Sequence, residues 1–355
     1  MKILFKNPKQ ETVKLEVENF DDLWYLSTVL REGDLIKGKT ERRIKSKEEK
    51  TRSDKGVRKT ITIAVRCEKV EFKENALRVT GIIEQGPEDI IALGDHHTFN
   101  IEPGTIITII KDREHWTRFE LSRLRDAEKS SLNPKLVIAV IDEGNANIAL
   151  IMESRIHHYD LSREFGGKYY VKERDRRKDE FYNETLNFLI AISQRENISC
   201  FIIAGAGFEK ENFYKYLFQK NQEFARKCVM EHIGSHGRNG VYEVLKRGTF
   251  KDITGKLNAA KDVTLVEKLL EHIGKDTGLG IYGTVDVELA VNSNAVEKLL
   301  VNDNLFLKER GKIEILMNSV KNSRGYVHIL NHEEEAGKQL ESLGGIGAIL
   351  RFKVG

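Results

Sequence analysis

Leu136-Val-Ile-Ala-Val-Ile141 is an unbroken apolar run. A strand with one face in water alternates polar and apolar residues, whereas a run apolar at every position marks a strand covered on both faces. The residues around it follow suit. Ala146–Met152 and Arg155–Tyr159 read as strands, and Cys200-Phe-Ile-Ile-Ala204 as another buried one. Helices are expected at Asp179–Arg195 and, after Gly205-Ala-Gly207, from Glu209. This alternation defines an α/β domain over residues 135–258. Asn133-Pro134 marks its start, because the residue before a proline is disfavoured in a helix.

Upstream the period changes to two. Ile3 and Phe5, Val13, Leu15 and Val17, Thr60-Ile-Thr-Ile-Ala-Val-Arg-Cys67 and Leu77-Arg-Val-Thr80 all alternate, and Ile106–Ile110 forms a last strand. Phe20, Leu23, Trp24, Leu26 and Leu30 recur at helical spacing, with Asp21 and Asp22 in the first turn and Gly33 after the end. Short strands separated by Gly, Asn and Pro predict a small curved β-barrel over residues 1–130, closed by a helix at Glu114–Glu128. Downstream, residues 262–355 return to α/β style. Val263–Ile273 is amphipathic, Leu299–Val301 and Tyr326–Leu330 read as strands, Glu333–Leu343 as a helix and Ala348–Phe352 as a final strand.

At 355 residues, 40% of them hydrophobic, the chain has room for two or three domains with cores of their own. No run of eighteen apolar residues exists, so no membrane span is expected. The opening Met-Lys-Ile-Leu-Phe-Lys is too short an apolar run for a signal peptide, which predicts a cytoplasmic protein. Cys67, Cys200 and Cys228 are odd in number and far apart, so they read as buried thiols, with no disulfide framework or zinc cluster.

Charge is unevenly placed. Lys37–Lys59 carries eleven basic residues and four acids, while the net charge of the whole chain is +3. With one aliphatic residue before Val57, this stretch cannot bury itself, and the concentration of one sign points to a polyanion. It reads as a phosphate-contacting arm, with Lys37, Lys39, Arg42, Arg43, Lys45, Lys47, Arg52, Arg58 and Lys59 as candidate contacts. The competing reading is a solvated hairpin in a charge-rich protein. Arg163–Lys178 is a second basic segment, with Gly166-Gly167 and Tyr169-Tyr170; Lys168, Arg174, Arg176 and Arg177 are its candidate RNA contacts.

Other motifs carry less. Gly278-Leu-Gly280-Ile-Tyr-Gly283 has dinucleotide-fingerprint spacing but follows a helix rather than a strand, and reads as a cap and turn. Gly205-Ala-Gly207 follows a strand but lacks the third glycine and a Walker lysine. His96-His97 and His157-His158 are adjacent pairs that suit metal binding poorly and read as exposed polar residues. His232 and His236 flank Ser235, but Gly234, Gly237 and Gly240 argue against a long helix there. Glu16, Glu18, Asp21 and Asp22 cluster at a strand–helix junction, where acids either hold a hard divalent cation or face the helix N-terminus.

The order of parts resembles the Pelota family, ribosome-rescue factors of archaea and eukaryotes related to class-1 release factors. Asp21-Asp-Leu-Trp24, Gly33-Asp34 and Lys39-Thr-Glu-Arg-Arg43 are similar to its first domain. Gly207-Phe208, Phe213 and Tyr216, with His232, Ser235, Glu243 and Leu245, resemble its middle domain. Leu299-Leu-Val301, Asp303, Leu305 and Phe306, Ser319-Val-Lys321 and Gly347-Ala-Ile-Leu-Arg-Phe352 resemble its last. The resemblance implies an Sm-like β-barrel for RNA sensing, followed by two release-factor-like α/β domains. It further implies recognition of stalled ribosomes at an empty A site, with mRNA and rRNA as partners. Delivery would be by a GTPase of the elongation factor 1-alpha type touching Gly207 and Phe208, and subunit dissociation would involve an ABC-type ATPase. A monomer is expected.

Two departures matter. Release factors carry Gly-Gly-Gln, whereas this chain has Gly166-Gly-Lys168; an ammonium has no acceptor and cannot replace the amide, so peptide release is not expected. Ala206 stands where the family usually has proline before Gly207-Phe208. The alternative function implied by the resemblance is a divalent-metal-dependent endoribonuclease, with Glu16, Glu18, Asp21 and Asp22 as its only local candidates. The metal would be its one cofactor.

Overall fold

Residues 1–44, 57–73, 76–87, 89–130, 133, 135–164, 171–196, 198–247 and 257–354 are described in a computed structural model. They form two compact units, Met1–Leu132 and Asn133–Gly355.

The first unit is built on β1 (Lys2–Asn7), β2 (Thr12–Glu16), α1 (Phe20–Val29), β3 (Leu35–Ile44), β4 (Val57–Lys73), β5 (Ala76–Gln85), β6 (His96–Ile101), β7 (Ile106–Ile110) and α2 (Arg118–Ser130). The strands form one sheet in the order β1-β2-β7-β3-β4-β5-β6. Of the period-two residues, Val13, Leu15, Ile61, Ile63, Leu77 and Val79 are buried, with Lys14 and Thr62 between them exposed, whereas Phe5 is exposed rather than in the core. Curvature has a local cause. The β4–β5 register slips between Cys67 and Lys69, and Gly81 lies opposite Cys67. A Cβ at Gly81 would stand 1.8 Å from the Arg66 carbonyl oxygen, so only glycine permits this close approach.

Helix α1 packs beneath the sheet against α2. Asn19 and Asp22 form a reciprocal capping box at its start, and the Arg123 guanidinium covers both Trp24 and Tyr25 at 4.3 Å. Lys111 is only 2% exposed. Its ammonium meets Asp34 at 2.9 Å, Glu120 at 2.8 Å and the Val29 carbonyl at 3.3 Å. Arg66 is gripped similarly, with Glu84 at 2.6 Å and Asp112 at 2.5 Å.

The second unit begins with β8 (Lys135–Asp142), β9 (Asn145–Ile151), β10 (Ile156–Ser162), α3 (Val171–Arg195), β11 (Ile198–Gly205), α4 (Glu209–Lys220), α5 (Gln222–Ala225), β12 (Cys228–His232) and α6 (Gly237–Arg247). The sheet order is β10-β9-β8-β11-β12, with β8, β11 and β12 parallel. The apolar run does what its composition demands. Ile138 and Val140 enter one core with Val241, Val244 and Leu245 of α6, while Val137, Ala139 and Ile141 enter another with Phe181, Leu189, Phe213 and Leu217 of α3 and α4.

The rest consists of α7 (Asn258–Gly274), β13 (Gly280–Tyr282), α8 (Thr284–Asn292), β14 (Val296–Asn302), α9 (Asp303–Lys308), α10 (Arg310–Asn322), β15 (Tyr326–Leu330), α11 (Glu335–Ser342) and β16 (Ile346–Leu350), with sheet order β13-β16-β14-β15. Its core is continuous with that of the preceding sheet: Val266, Leu269, Leu300, Leu340 and Ile349 belong to the same cluster as Ile138 and Val244. Polar contacts reinforce the junction. The Ile156 amide donates to Glu334 Oε2 at 3.2 Å, Asn331 Nδ2 donates to the Ser154 carbonyl at 3.0 Å, and Arg155 pairs with Glu333 at 3.4 Å.

Several elements, α8 and α10 among them, go unread in the sequence, and three more differ from its reading. Helix α3 starts at Val171 rather than Asp179, because its charged first turns are satisfied by pairs four residues apart. Residues 280–282 form a short strand on β16 rather than only a turn; a Cβ at Gly280 would lie 2.7 Å from that of His272. A helix does begin at Gly237 despite its glycines. Gly240 is buried within it, where a Cβ would approach Ile233 to 2.7 Å. Cys67, Cys200 and Cys228 are free and buried. Among the described residues, no helix is long and apolar enough to cross a membrane.

Candidate nucleic-acid interface and protein-docking turn

Strand β3 leaves the body of the sheet early. It pairs with β7 only from Leu35 to Gly38, while its ladder with β4 continues through Lys39↔Thr62, Arg42↔Lys59 and Arg43↔Arg58 to Ile44↔Val57. The described parts of the basic stretch, residues 37–44 and 57–59, therefore lie on a two-stranded ribbon whose root is continuous with the sheet. Backbone register alone places Arg42, Arg43 and Arg58; Lys45, Lys47 and Arg52 lie outside the described residues. At the root, Lys37 and Lys39 are exposed and line a groove of about 450 Å³ together with Lys14, Thr62, Ile106 and Thr108. None of these three lysines is in an ion pair among the described residues. Uncompensated ammonium groups above threonine hydroxyls suit phosphate oxygens.

The second basic segment is different. Lys168 and Gly166-Gly167 lie outside the described residues. The other candidates stand on α3 and each has a carboxylate partner: Arg174 pairs with Glu143, Arg176 with Glu180 at 3.1 Å, and Arg177 with Glu173 at 2.6 Å. The surplus positive charge read from the sequence is largely offset there.

The four acids of the alternative reading do not form a metal site. Asp22 is buried; its Oδ2 accepts the amides of Glu18 at 2.8 Å and Asn19 at 3.2 Å and meets the Met1 ammonium at 2.6 Å. Glu18 reaches the same ammonium at 3.0 Å. Burial raises the Asp22 carboxyl against these stabilising partners. Asp21 is buried on α1 and Glu16 ends β2. Among the described residues, no group of three or more metal-ligating side chains converges. These acids shape a strand–helix junction, and the divalent cation of the alternative reading has no ligand set among the described residues.

Gly207-Phe208 occupies the turn between β11 and α4, and Phe208 is 84% exposed. An aromatic ring held this far into solvent contributes nothing to the core and offers an anchor to a partner. The turn is braced from beneath. Lys210, 4% exposed, donates to the Gly207 carbonyl at 2.7 Å, with its ammonium 3.2 Å from His232 Nδ1 and 3.0 Å from Glu211. The next turn is braced too: Glu243 accepts the amides of Gly234 at 3.0 Å and Ser235 at 2.8 Å. Those bonds, the Gly234 amide foremost, hold its carboxyl down to about 2. His232 and His236 have separate partners, Lys210 and Asp142, and form no joint site. His158, read as exposed, is instead half-buried, with both ring nitrogens shielded from water.

A barrel with a basic ribbon followed by two α/β layers, the first presenting an aromatic turn, defines a factor built on translation release-factor lines. The comparisons agree domain by domain. Residues 1–128 match the Pelota N-terminal domain, 135–254 match eRF1 domain 2 and 259–354 match eRF1 domain 3. The pelota homolog of Thermococcus gammatolerans is 41% identical over 358 residues, covering 100% of both chains. The chain belongs to the Pelota family. The crystal structure of Thermoplasma acidophilum Pelota has the same fold, with a TM-score of 0.75 at 23% identity and full coverage of both chains. So does Dom34 of S. cerevisiae, a translation termination-like factor involved in RNA quality control pathways and interacting with Hbs1. It gives a TM-score of 0.55 at 19% identity, covering 100% of this chain and 99% of that one.

Proposed function

We propose that this protein is a ribosome-rescue factor of the cytoplasm. It recognises ribosomes stalled with an empty A site, and promotes subunit dissociation and mRNA surveillance without releasing the peptide. The ribbon from Lys37 to Lys59 contacts mRNA and rRNA. Lys37, Lys39, Arg42, Arg43, Arg58 and Lys59 stand on its strands, and Lys45, Lys47 and Arg52 follow in sequence. A translational GTPase of the elongation factor 1-alpha type docks on Gly207-Phe208, and an ABC-type ATPase acts with the protein in splitting. The observation that carries this reading is a ribbon rich in basic residues on a Pelota-type first domain, with Lys37 and Lys39 exposed at its root and in no ion pair among the described residues. The lysine at position 168 supports the absence of peptide release, because the amide of Gly-Gly-Gln is missing.

The test is reconstituted subunit splitting on stalled ribosomes, with and without GTPase and ATPase. Replacing Arg42, Arg43, Lys45 and Lys47 with alanine should weaken ribosome binding and flatten its salt dependence. Unchanged binding and splitting would remove the ribbon from the function.

A further inference from the structure

Phe5 is 51% exposed on β1. The ladder sets Phe5 opposite Lys14, Lys14 opposite Thr108, and Thr108 opposite Lys37. Directly paired residues of antiparallel strands project from the same face about 5 Å apart. Four strands thus carry one row, aromatic–ammonium–hydroxyl–ammonium, ending where the ribbon starts. The next row adds Ile106, 44% exposed, opposite Glu16, and Lys39 opposite Thr62. Short threonine side chains between lysines create the groove of about 450 Å³ already described. Glu16 is the acid at its margin, and no carboxylate pairs with the three lysines among the described residues.

We infer that the outward face of β1, β2, β7 and β3 is a binding track for single-stranded RNA, on which Phe5 stacks a base while Lys14, Lys37 and Lys39 hold phosphates. The inference rests on the reading of the ribbon as an RNA contact and extends it to residues outside the basic stretch. Charge complementarity selects a polyanion, and an exposed ring beside the cations selects unpaired bases over duplex. A duplex hides its base faces and offers nothing for Phe5 to stack on.

The test uses the full chain and a short single-stranded RNA carrying 2-aminopurine, with its duplex as control. Phe5→Ala should weaken single-strand binding roughly tenfold and abolish the stacking quench. Phe5→Trp should retain both, and duplex binding should stay unchanged. Lys14→Ala should lower the slope of log affinity against log salt by about 0.7. Binding by Phe5→Ala equal to the parent's overturns the inference. So does weaker ribosome binding with intact oligonucleotide binding, which would assign Phe5 to a ribosomal protein. If Phe5 and Lys14 prove silent while the ribbon variant loses ribosome binding, the track fails and the proposed function stands. If the ribbon variant is silent as well, the function reading fails.

Discussion

The buried Lys210 ammonium donates to the Gly207 carbonyl at 2.7 Å, one residue before the exposed ring of Phe208. Ala206 precedes this turn, so no proline ring stiffens the backbone there. Here a side-chain brace from inside the helix performs that office, since a lysine fixed by burial restrains the backbone it touches. Phe208→Ala should leave stability within about 0.5 kcal/mol, because the ring packs on nothing, yet weaken GTPase binding about tenfold or more. Lys210→Met keeps the stem and loses the brace. It should cost about 1–3 kcal/mol and weaken the GTPase partially. Thermal melts and titration with the GTPase separate the two effects.

Lys111 is the electrostatic centre of the first unit. Removing its charge strands Asp34 and Glu120, both buried, without the ammonium between them. Lys111→Met should destabilise that unit by about 3–5 kcal/mol. Adding Asp34→Asn should recover part of the loss, and denaturant unfolding of single and double variants measures the coupling.

Glu334 sets a pH dependence at the junction of the two α/β domains. Burial pushes its carboxyl up to about 7, although the Ile156 amide favours the charged form. A folded value above the unfolded one means the folded chain binds the proton more tightly. Its contribution is full at pH below the unfolded value and is lost as pH rises to about 7. Glu334→Gln keeps an acceptor without the charge, so it should gain on the order of 1 kcal/mol at pH 8 and little at pH 4.5. Melting temperatures at the two pH values check this.

Glu243 has the opposite sign. Its folded value of about 2 lies below the ordinary range, so its clamp on Gly234 and Ser235 is complete above about pH 4.5 and is lost as pH falls toward 2. Glu243→Ala should cost about 1.5–3 kcal/mol and speed hydrogen exchange at those two amides at neutral pH.

Asp22 should behave as a cap rather than a catalyst. Asp22→Ala removes an acceptor shared by two amides and an ammonium. We expect a loss of about 1–2 kcal/mol or more. Mn²⁺ should not shift the melting temperature of the parent protein, and a clear shift would reinstate a metal site among these acids.

Legibility followed the physics of each signal. Leu136–Ile141 announced a strand covered on both faces because burial leaves its mark at every position, and the two cores beside it confirm this. Residues 280–282 were illegible as a strand: three residues between glycines carry no period, and their pairing with β16 is a property of distant sequence. The start of α3 is not legible because Arg174, Arg176 and Arg177 read as free charge, whereas Glu143, Glu180 and Glu173 answer them. Many of the residues that carried the resemblance are scaffold. Trp24, Phe213, Leu299 and Phe306 are buried, and a Cβ at Gly347 would meet Leu269 at 2.6 Å. Phe5 reads in sequence only as an alternating strand residue, since its relationship to Lys14 exists only once the strands are aligned.

The ribbon has a consequence in length. Past Gly38, the paired positions from Lys39 to Ile44 advance by about 3.4 Å each, giving a reach of roughly 20 Å. The Debye length at physiological ionic strength is only about 8 Å. The Ile44–Val57 end of the described ribbon is thus electrically remote from the body of its own sheet. Acids on the body of the first unit are largely screened from that end, which responds chiefly to charge brought within a Debye length of it.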